Sequence, residues 1–302
     1  MMTSPDSLPS ELHPAACPYC GGRSLLDFRH FSRTYYRCRS CALIHQMHME
    51  EKGDEINEYY RKRYFHDYAD DQPDRNSMQL NRRILDLIEA RKKTGNLLDV
   101  GCGCGYFLKE AQRRGWAVQG VDLSEESIVR ARQLVGDVAF VGTVADVDLS
   151  RRFDVITMIN VLDHMRDPFQ NLRRSRELLQ EGGLLYLRFP NGFFHRLIIR
   201  MQTMLTDKPL FNSLLVFHEY SFTPAFIMTL LAEEGFHPVT VRNARLSGAA
   251  LYSKFRAVKS IGAMINGTFS LTAFFVKCLS AGRWLLGPSL DVIATKKQRL
   301  MS

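Results

Sequence analysis

Leu97-Leu98-Asp99-Val100-Gly101-Cys102-Gly103-Cys104-Gly105 is the stretch whose reading decides the fold of this chain. Its apolar run, holding Asp99 near the end, reads as a buried parallel strand, and the three alternate glycines as a tight strand-to-helix turn. Glycine lets a ligand approach the backbone where any side chain would collide. The helix expected over 105–114 aims its N-terminal N–H groups at the same spot. A second apolar run, 116–121, is closed by Asp122, seventeen residues past Gly105. A carboxylate there can take both hydroxyls of a ribose. The dinucleotide fingerprint needs its third glycine where this chain has Tyr106. With no pyrophosphate to cradle, the acid at Asp99 suits a ligand carrying an amine or a sulfonium.

Outward from this turn the alternation is regular. Strands are predicted near 96–100, 116–121, 137–142, 153–159 and 183–189, and helices near 105–114, 124–135 and 168–180. That is a doubly wound α/β pattern, in which ligands bind beyond the carboxyl ends of the strands. Those ends carry Asp99–Gly105, Asp122–Leu123, Thr143–Asp146, Asn160–His164 and Pro190–Asn191.

The glycine turn, the stretch Phe153–His164 with Pro168 after it, and Glu181–Asn191 stand in that order. Together they resemble the class I S-adenosylmethionine-dependent methyltransferases, small-molecule branch, over about residues 96–241. That branch usually has Leu-Glu-His where this chain has Leu162-Asp163-His164. The resemblance implies a Rossmann-like seven-stranded sheet and S-adenosyl-L-methionine as cofactor. It implies that Gly101, Gly103 and Gly105 shape the methionine side of the pocket and that Asp99 lies near the amino group. Asp122 would hold the ribose and Leu123 would pack on the adenine. Thr143 and Val144 fall where the family often has Asp-Ala beside the adenine, with Asp146 the acid that could substitute. Asn160 would sit beneath the methyl donor. Cys102 and Cys104 read as small turn residues, not nucleophiles.

Methyl transfer from a sulfonium needs alignment first, and a base only where the acceptor atom holds a proton. Histidine is the natural base near neutrality. His164 and His218 are the candidates, each weighed against a structural role, and His195 is a weaker third.

The ends of the chain differ from its middle. Residues 1–50 begin with a leader, 1–16, and then carry Cys17-Pro-Tyr-Cys20 and Cys38-Arg-Ser-Cys41 with 17 residues between the pairs. Four thiolates at that spacing suit structural, tetrahedral Zn²⁺, and the segment resembles a zinc ribbon. His30 and His45 read as bystanders. Residues 51–93 form a charged lead-in with Tyr59, Tyr60, Tyr64 and Tyr68, one of which could cover the cofactor, and a helix over Met78–Lys93.

In the methyltransferase domain, 94–302, the stretch Phe193–Phe217 reads as apolar and irregular, in the place of a substrate cover. A turn at His218–Thr223 leads into a helix opening at Thr223-Pro224; strands six and seven are expected at Phe236–Val241 and Leu290–Thr295. Residues 243–289 therefore look inserted, amphipathic and basic.

The 302 residues carry a net charge of +8, and 193–302 alone, with 13 Lys and Arg against 5 acids, account for that excess. A basic acceptor side fits an anionic partner. Three readings of the insertion stay open: a helical cap on the domain or on a second copy in a homodimer, peripheral association with anionic lipid, and contact with nucleic acid. Cysteine usage and a polar N-terminus without an apolar signal core point to the cytoplasm, with no transmembrane helix.

The expected activity is methylation of a small molecule: a sugar, a nucleotide-linked sugar or a lipid-linked intermediate. A zinc ribbon ahead of such a domain is similar to the arrangement in bacterial sugar C-methyltransferases and cell-surface glycan enzymes. The alternatives are an rRNA or tRNA methyltransferase, against which stands the absence of an Asn-Pro-Pro-Tyr-like motif at Asn160–Asp163, and a binding module without turnover.

Overall fold

The computed structural model describes residues 15–31, 33–46, 58, 75–205, 218–244 and 285–297. In chain order, β1 (Ala15–Ala16), β2 (Arg23–His30), β3 (Arg33–Cys38) and β4 (Ile44–Gln46) precede helix α1 (Arg75–Glu89). The glycine stretch then joins β5 (Asn96–Val100) to α2 (Tyr106–Arg113), followed by β6 (Ala117–Asp122), α3 (Glu125–Val135) and β7 (Ala139–Val141). Next come β8 (Phe153–Ile159), α4 (Pro168–Leu178), β9 (Leu179–Pro190) and α5 (Gly192–Leu205). The described chain closes with β10 (Tyr220–Ser221), α6 (Pro224–Glu233), β11 (Phe236–Asn243) and β12 (Ser289–Lys296).

The central sheet has the order β11-β12-β9-β8-β5-β6-β7. Strands β5 to β9 run parallel in their pairings, and β12 is antiparallel to both β9 and β11. Strand alternation sends neighbouring residues to opposite faces. Leu97, Val155 and Leu184 pack with Ile84, Leu108 and Ile128 on one face, while Leu98, Ile156 and Leu185 pack with Leu172, Ile227 and Leu230 on the other. The strands are therefore continuous apolar runs, as both-face burial requires. Helix starts follow their caps: Ser124 accepts from the Ser127 N–H, Asp167 from Gln170 and Thr223 from Phe226.

The second sheet, β1-β2-β3-β4-β10, is antiparallel, and its last strand comes from beyond α5: Tyr220 pairs with His45 and Ser221 with Ile44. The cysteine-bearing hairpins are thus stitched into the larger domain. Tyr19 packs against Phe169 and Phe226, Phe28 and Tyr35 join a cluster with Ile199, and Arg196 and Arg200 both pair with Asp27.

Three expectations need correction. Ala15 and Ala16, placed in the leader by sequence, form a strand against Ser24 and Arg23. Phe193–Phe217 is not wholly irregular, because 192–205 is helical. The buried stripe of α5 is Gly192, His195, Ile199 and Gln202, while Leu197, Met201 and Met204 are exposed. Polar residues inside and apolar ones outside conceal a 3.6-residue period from any hydropathy reading. The turn before α6 is partly a strand, β10, whose partner lies some 175 residues upstream.

Segment 245–284, the tyrosines at 59–68 and residues 1–14 lie outside the described residues. The ends of the excursion between β11 and β12 do meet: the Gly287 N–H donates to Asn243 Oδ1 at 2.8 Å and the Ala244 N–H to Ser289 O at 2.8 Å. Among the described residues no helix is long and apolar enough to cross a membrane.

Candidate active site

The three glycines of the turn all take left-handed backbone, with φ of 79° at Gly101, 51° at Gly103 and 81° at Gly105. Their surroundings differ. A Cβ on Gly101 would lie 2.6 Å from the Val161 side chain, and one on Gly105 3.1 Å from Ala131. Only at Gly103 would it meet no described atom within 4 Å. Gly101 and Gly105 thus serve packing as well as turning, and of the three Gly103 alone borders open space among the described residues. Gly120, which sequence did not single out, belongs with the packing pair: a Cβ there would strike Leu108 and Cys102.

Asp122 turns inward to this loop. Its Oδ2 accepts the Gly103 N–H at 2.8 Å and its Oδ1 the Ser124 N–H at 2.9 Å. It is not the helix cap, a role that falls to Ser124. Burial raises its pKa while these N–H donors oppose the rise. Each carboxylate oxygen keeps a further lone pair for a ligand hydroxyl. Asp99 is buried and accepts the Thr157 hydroxyl at 2.6 Å. Desolvation, with a contribution from Asp122, pushes it up to about 7. Thr157, in mid-strand and unremarkable in sequence, is the group that holds Asp99 in place.

The other cofactor-side residues are spread over neighbouring strand ends. Leu123 is half-buried. Thr143 caps the short 3₁₀ turn Val144–Asp146, and Asp146 Oδ2 accepts from both the N–H and the hydroxyl of Thr143. Asp146 is therefore committed to its own capping box, and Val144 is fully buried in the core. Asn160 is exposed, takes φ 55°, and donates its N–H to Arg188 O at 2.8 Å.

The turn after β8 brings the two candidate histidines together with a buried acid. Val161, packed on Gly101, precedes the 3₁₀ turn Leu162–His164. Asp163 is 2% exposed, and neither carboxylate oxygen has a hydrogen-bond partner among the described residues. Two imidazole nitrogens face its Oδ2, His218 Nε2 at 3.8 Å and His164 Nε2 at 4.0 Å. The two rings stack with centroids 3.6 Å apart. Both sequence candidates thus stand together, with Asp163 as a third member that sequence reading missed. Burial lowers His164 to about 4 and His218 to about 2, and Arg33 adds to both shifts, which weakens the imidazoles as proton acceptors. His195 stands apart from this cluster: its Nε2 lies 2.9 Å from Pro288 O, inside the packed end of α5.

The ribbon reaches this place. Gln46 donates to His218 O at 3.2 Å and Arg33 pairs with Glu219 at 3.8 Å. In the ribbon itself, Cys17 and Cys41 sulfurs are 3.6 Å apart, as are those of Cys20 and Cys38, and all four lie within 4.8 Å of one another. Four thiolates about 2.3 Å from one tetrahedral ion are spaced close to these distances, so the residues fit Zn²⁺. His45 is engaged elsewhere, with Ser24 Oγ at 2.9 Å and Gln46 O at 2.8 Å. A surface cleft of about 450 Å³ lined by Leu149, Arg152, Arg176 and Lys296 lies at the N-terminal edge of the strands, the wrong end for a ligand in this architecture.

Strand order, the antiparallel seventh strand and a glycine turn facing two carboxylates define the architecture of S-adenosylmethionine-dependent methyltransferases. A methyltransferase-domain family model matches residues 62–241, and the chain belongs to that family. Among curated proteins it is similar to a ubiquinone biosynthesis O-methyltransferase of Neisseria meningitidis serogroup C, 29% identical over 43% of this chain and 60% of that protein. It is also similar to one of Caulobacter vibrioides, 33% identical over 30% of this chain and 39% of that protein. The chain thus spans less than two thirds of these relatives' own length. Its fold is similar to that of the magnesium protoporphyrin IX methyltransferase of Synechocystis PCC 6803 with bound S-adenosylhomocysteine. That likeness covers 81% of this chain and 99% of that one at 15% identity, with a TM-score of 0.52.

Proposed function

We propose that the chain transfers a methyl group from S-adenosylmethionine to an oxygen of a small, anionic acceptor, a sugar or a lipid-linked intermediate. The observation that carries this reading is the open space at Gly103 flanked by inward-facing carboxylates, with the Asp163–His164–His218 cluster on the adjoining turn. In this reading Asp122 takes the ribose hydroxyls, Asp99 the ammonium, Leu123 the adenine face, and the turn at Asn160 lies beneath the donor. At the Thr143 end, Asp146 Oδ2 is used in capping, so in this reading the adenine rests on Leu123. Oxygen as the methylated atom is suggested by the relatives' names, which are O-methyltransferases. An anionic handle is supported by the basic last third of the chain.

Positioning is the main work of such a protein, since fixing donor and acceptor in line can remove ~7–11 kcal/mol of barrier. In this reading a lone pair of the acceptor oxygen forms the new C–O bond as the methyl–sulfonium bond breaks and S-adenosylhomocysteine leaves. The hydroxyl proton passes to the carboxylate of Asp163, whose pKa burial raises to about 7. The test is calorimetric titration with S-adenosylmethionine, followed by incubation with methyl-labelled donor and separate pools of nucleotide sugars, glycolipids, prenylated phenols and RNA. Saturable donor binding with label in a small anionic pool supports the proposal. Absence of donor binding, or label only in RNA, contradicts it.

A further inference from the structure

Resting on that reading of the site, we propose that Asp163, His164 and His218 form a second metal centre, distinct from the four-cysteine one. It would take a divalent transition-metal ion and present it to the acceptor's oxygens.

The first support is an unsolved problem in the polypeptide itself. Asp163 buries a carboxyl group to 2% exposure, and no other described residue donates a hydrogen bond to either oxygen. Leaving a buried polar group without a partner is costly, and native proteins rarely do so without a use for it. The groups that face it are imidazoles at 3.8 and 4.0 Å, too far for hydrogen bonding and too near for an apolar gap. One ion between them would satisfy the carboxylate and draw on both rings as ligands.

The second support is the donor set. One carboxylate oxygen and two imidazole nitrogens, all within 4.8 Å of one another, make the two-histidine, one-carboxylate combination. That combination suits Fe²⁺, Mn²⁺, Co²⁺ or Zn²⁺ and leaves coordination positions open. With bonds of about 2.0–2.2 Å the nitrogens would draw toward Asp163 Oδ2 by about 0.5–1 Å, within reach of side-chain rotation. It differs from the thiolate cage of Cys17, Cys20, Cys38 and Cys41, which is closed and selects a softer ion.

The third support is position. Asp163 and His164 follow β8 at the carboxyl end of the parallel sheet, and His218 arrives on the approach to β10, next to the strand that the ribbon pairs. Other charge at the cluster comes from Arg33, which pairs with Glu219 at 3.8 Å. An ion here would bind an acceptor through adjacent oxygens, as a vicinal diol or a catechol offers, beside the turn that holds the donor.

The test uses the full chain with zinc already in the cysteine site, titrated with Co²⁺ and followed optically and by equilibrium dialysis. The expected result is one added Co²⁺ per chain, with weak visible bands and no thiolate charge-transfer band. The isosteric Asp163→Asn and His218→Gln variants should lose that ion while keeping their circular dichroism, their zinc and their affinity for S-adenosylmethionine. Equal Co²⁺ uptake by wild type and both variants, or a thiolate band as the only Co²⁺ signal, would overturn the proposal. Failure of S-adenosylmethionine to bind the wild type would strike the methyltransferase reading instead, because the Co²⁺ measurement stands without it.

Discussion

The proposed donor side and the proposed acceptor side of this molecule are assembled differently. On the donor side, β5, the glycine turn, α2 and β6 are consecutive, and each acid is held by a group from an adjacent strand or turn. Asp122 grips the Gly103 N–H, Ser124 caps α3, and Thr157 on the adjacent strand holds Asp99. On the acceptor side, Arg33, Asp163 and His218 come from three separated parts of the chain, and the most buried carboxylate there is left without a hydrogen bond. A site made mostly from consecutive elements needs few distant partners, here Thr157 and Val161 from β8 and the turn after it. One made from distant pieces depends on the docking that brings them together, here the pairing of β4 with β10.

That contrast is broken most severely at the ribbon. If the four cysteines hold zinc, as their spacing fits, such a site contributes about 10–16 kcal/mol of apparent binding energy to folding. Cys38→Ser should therefore unravel the small sheet, abolish hydrogen-exchange protection at Tyr220 and Ser221, and remove acceptor turnover. S-adenosylmethionine binding, which uses only the donor side, should survive. Loss of both functions together would show that the two sides are not separable.

The next effect separates the glycines. Gly101→Ala drives a methyl group into Val161 in left-handed backbone, and overpacking plus that backbone penalty should cost about 2–4 kcal/mol in urea unfolding. Gly103→Ala has room and should cost only ~1 kcal/mol, yet weaken the cofactor by intruding on its seat. Asp122→Ala removes a charged acceptor and should weaken the cofactor by about 1.5–3 kcal/mol, read by calorimetry.

The smallest effect is a pH dependence. Asp99, held up to about 7 by burial, must be ionised to pair with a cationic donor. The folded protein without cofactor favours the protonated acid, so cofactor affinity should fall as pH drops through 7, by at most about tenfold per unit. Asp99→Asn should bind more weakly and lose this slope.

How much was legible beforehand follows the same divide. Strand and helix positions in 94–192 could be read because both-face burial writes itself as apolar runs and the turns carry Gly, Ser-Glu or Asp-Pro signals. The predicted β5, β8 and α3 lie within a residue of those observed. The cysteine quartet was legible because ligand spacing is local. Helix α5 was not, because His195 and Gln202 occupy its buried stripe. The strand at Tyr220 was not, because its partner is remote. Asp163 was passed over as a family substitution beside His164, since its isolation from hydrogen-bond donors exists only in three dimensions. The individual duties of the glycines also needed coordinates: spacing shows a turn, and only the neighbours show which residue borders a ligand.

The most direct measurement is a crystal structure of the zinc-loaded chain with S-adenosylhomocysteine. The expected result is the nucleoside ribose on Asp122, the homocysteine chain crossing the open side of Gly103, and the sulfur directed toward the turn carrying Asp163 and His164. Ligand density anywhere else, or a seat at Gly103 that stays empty at saturating ligand, would contradict it.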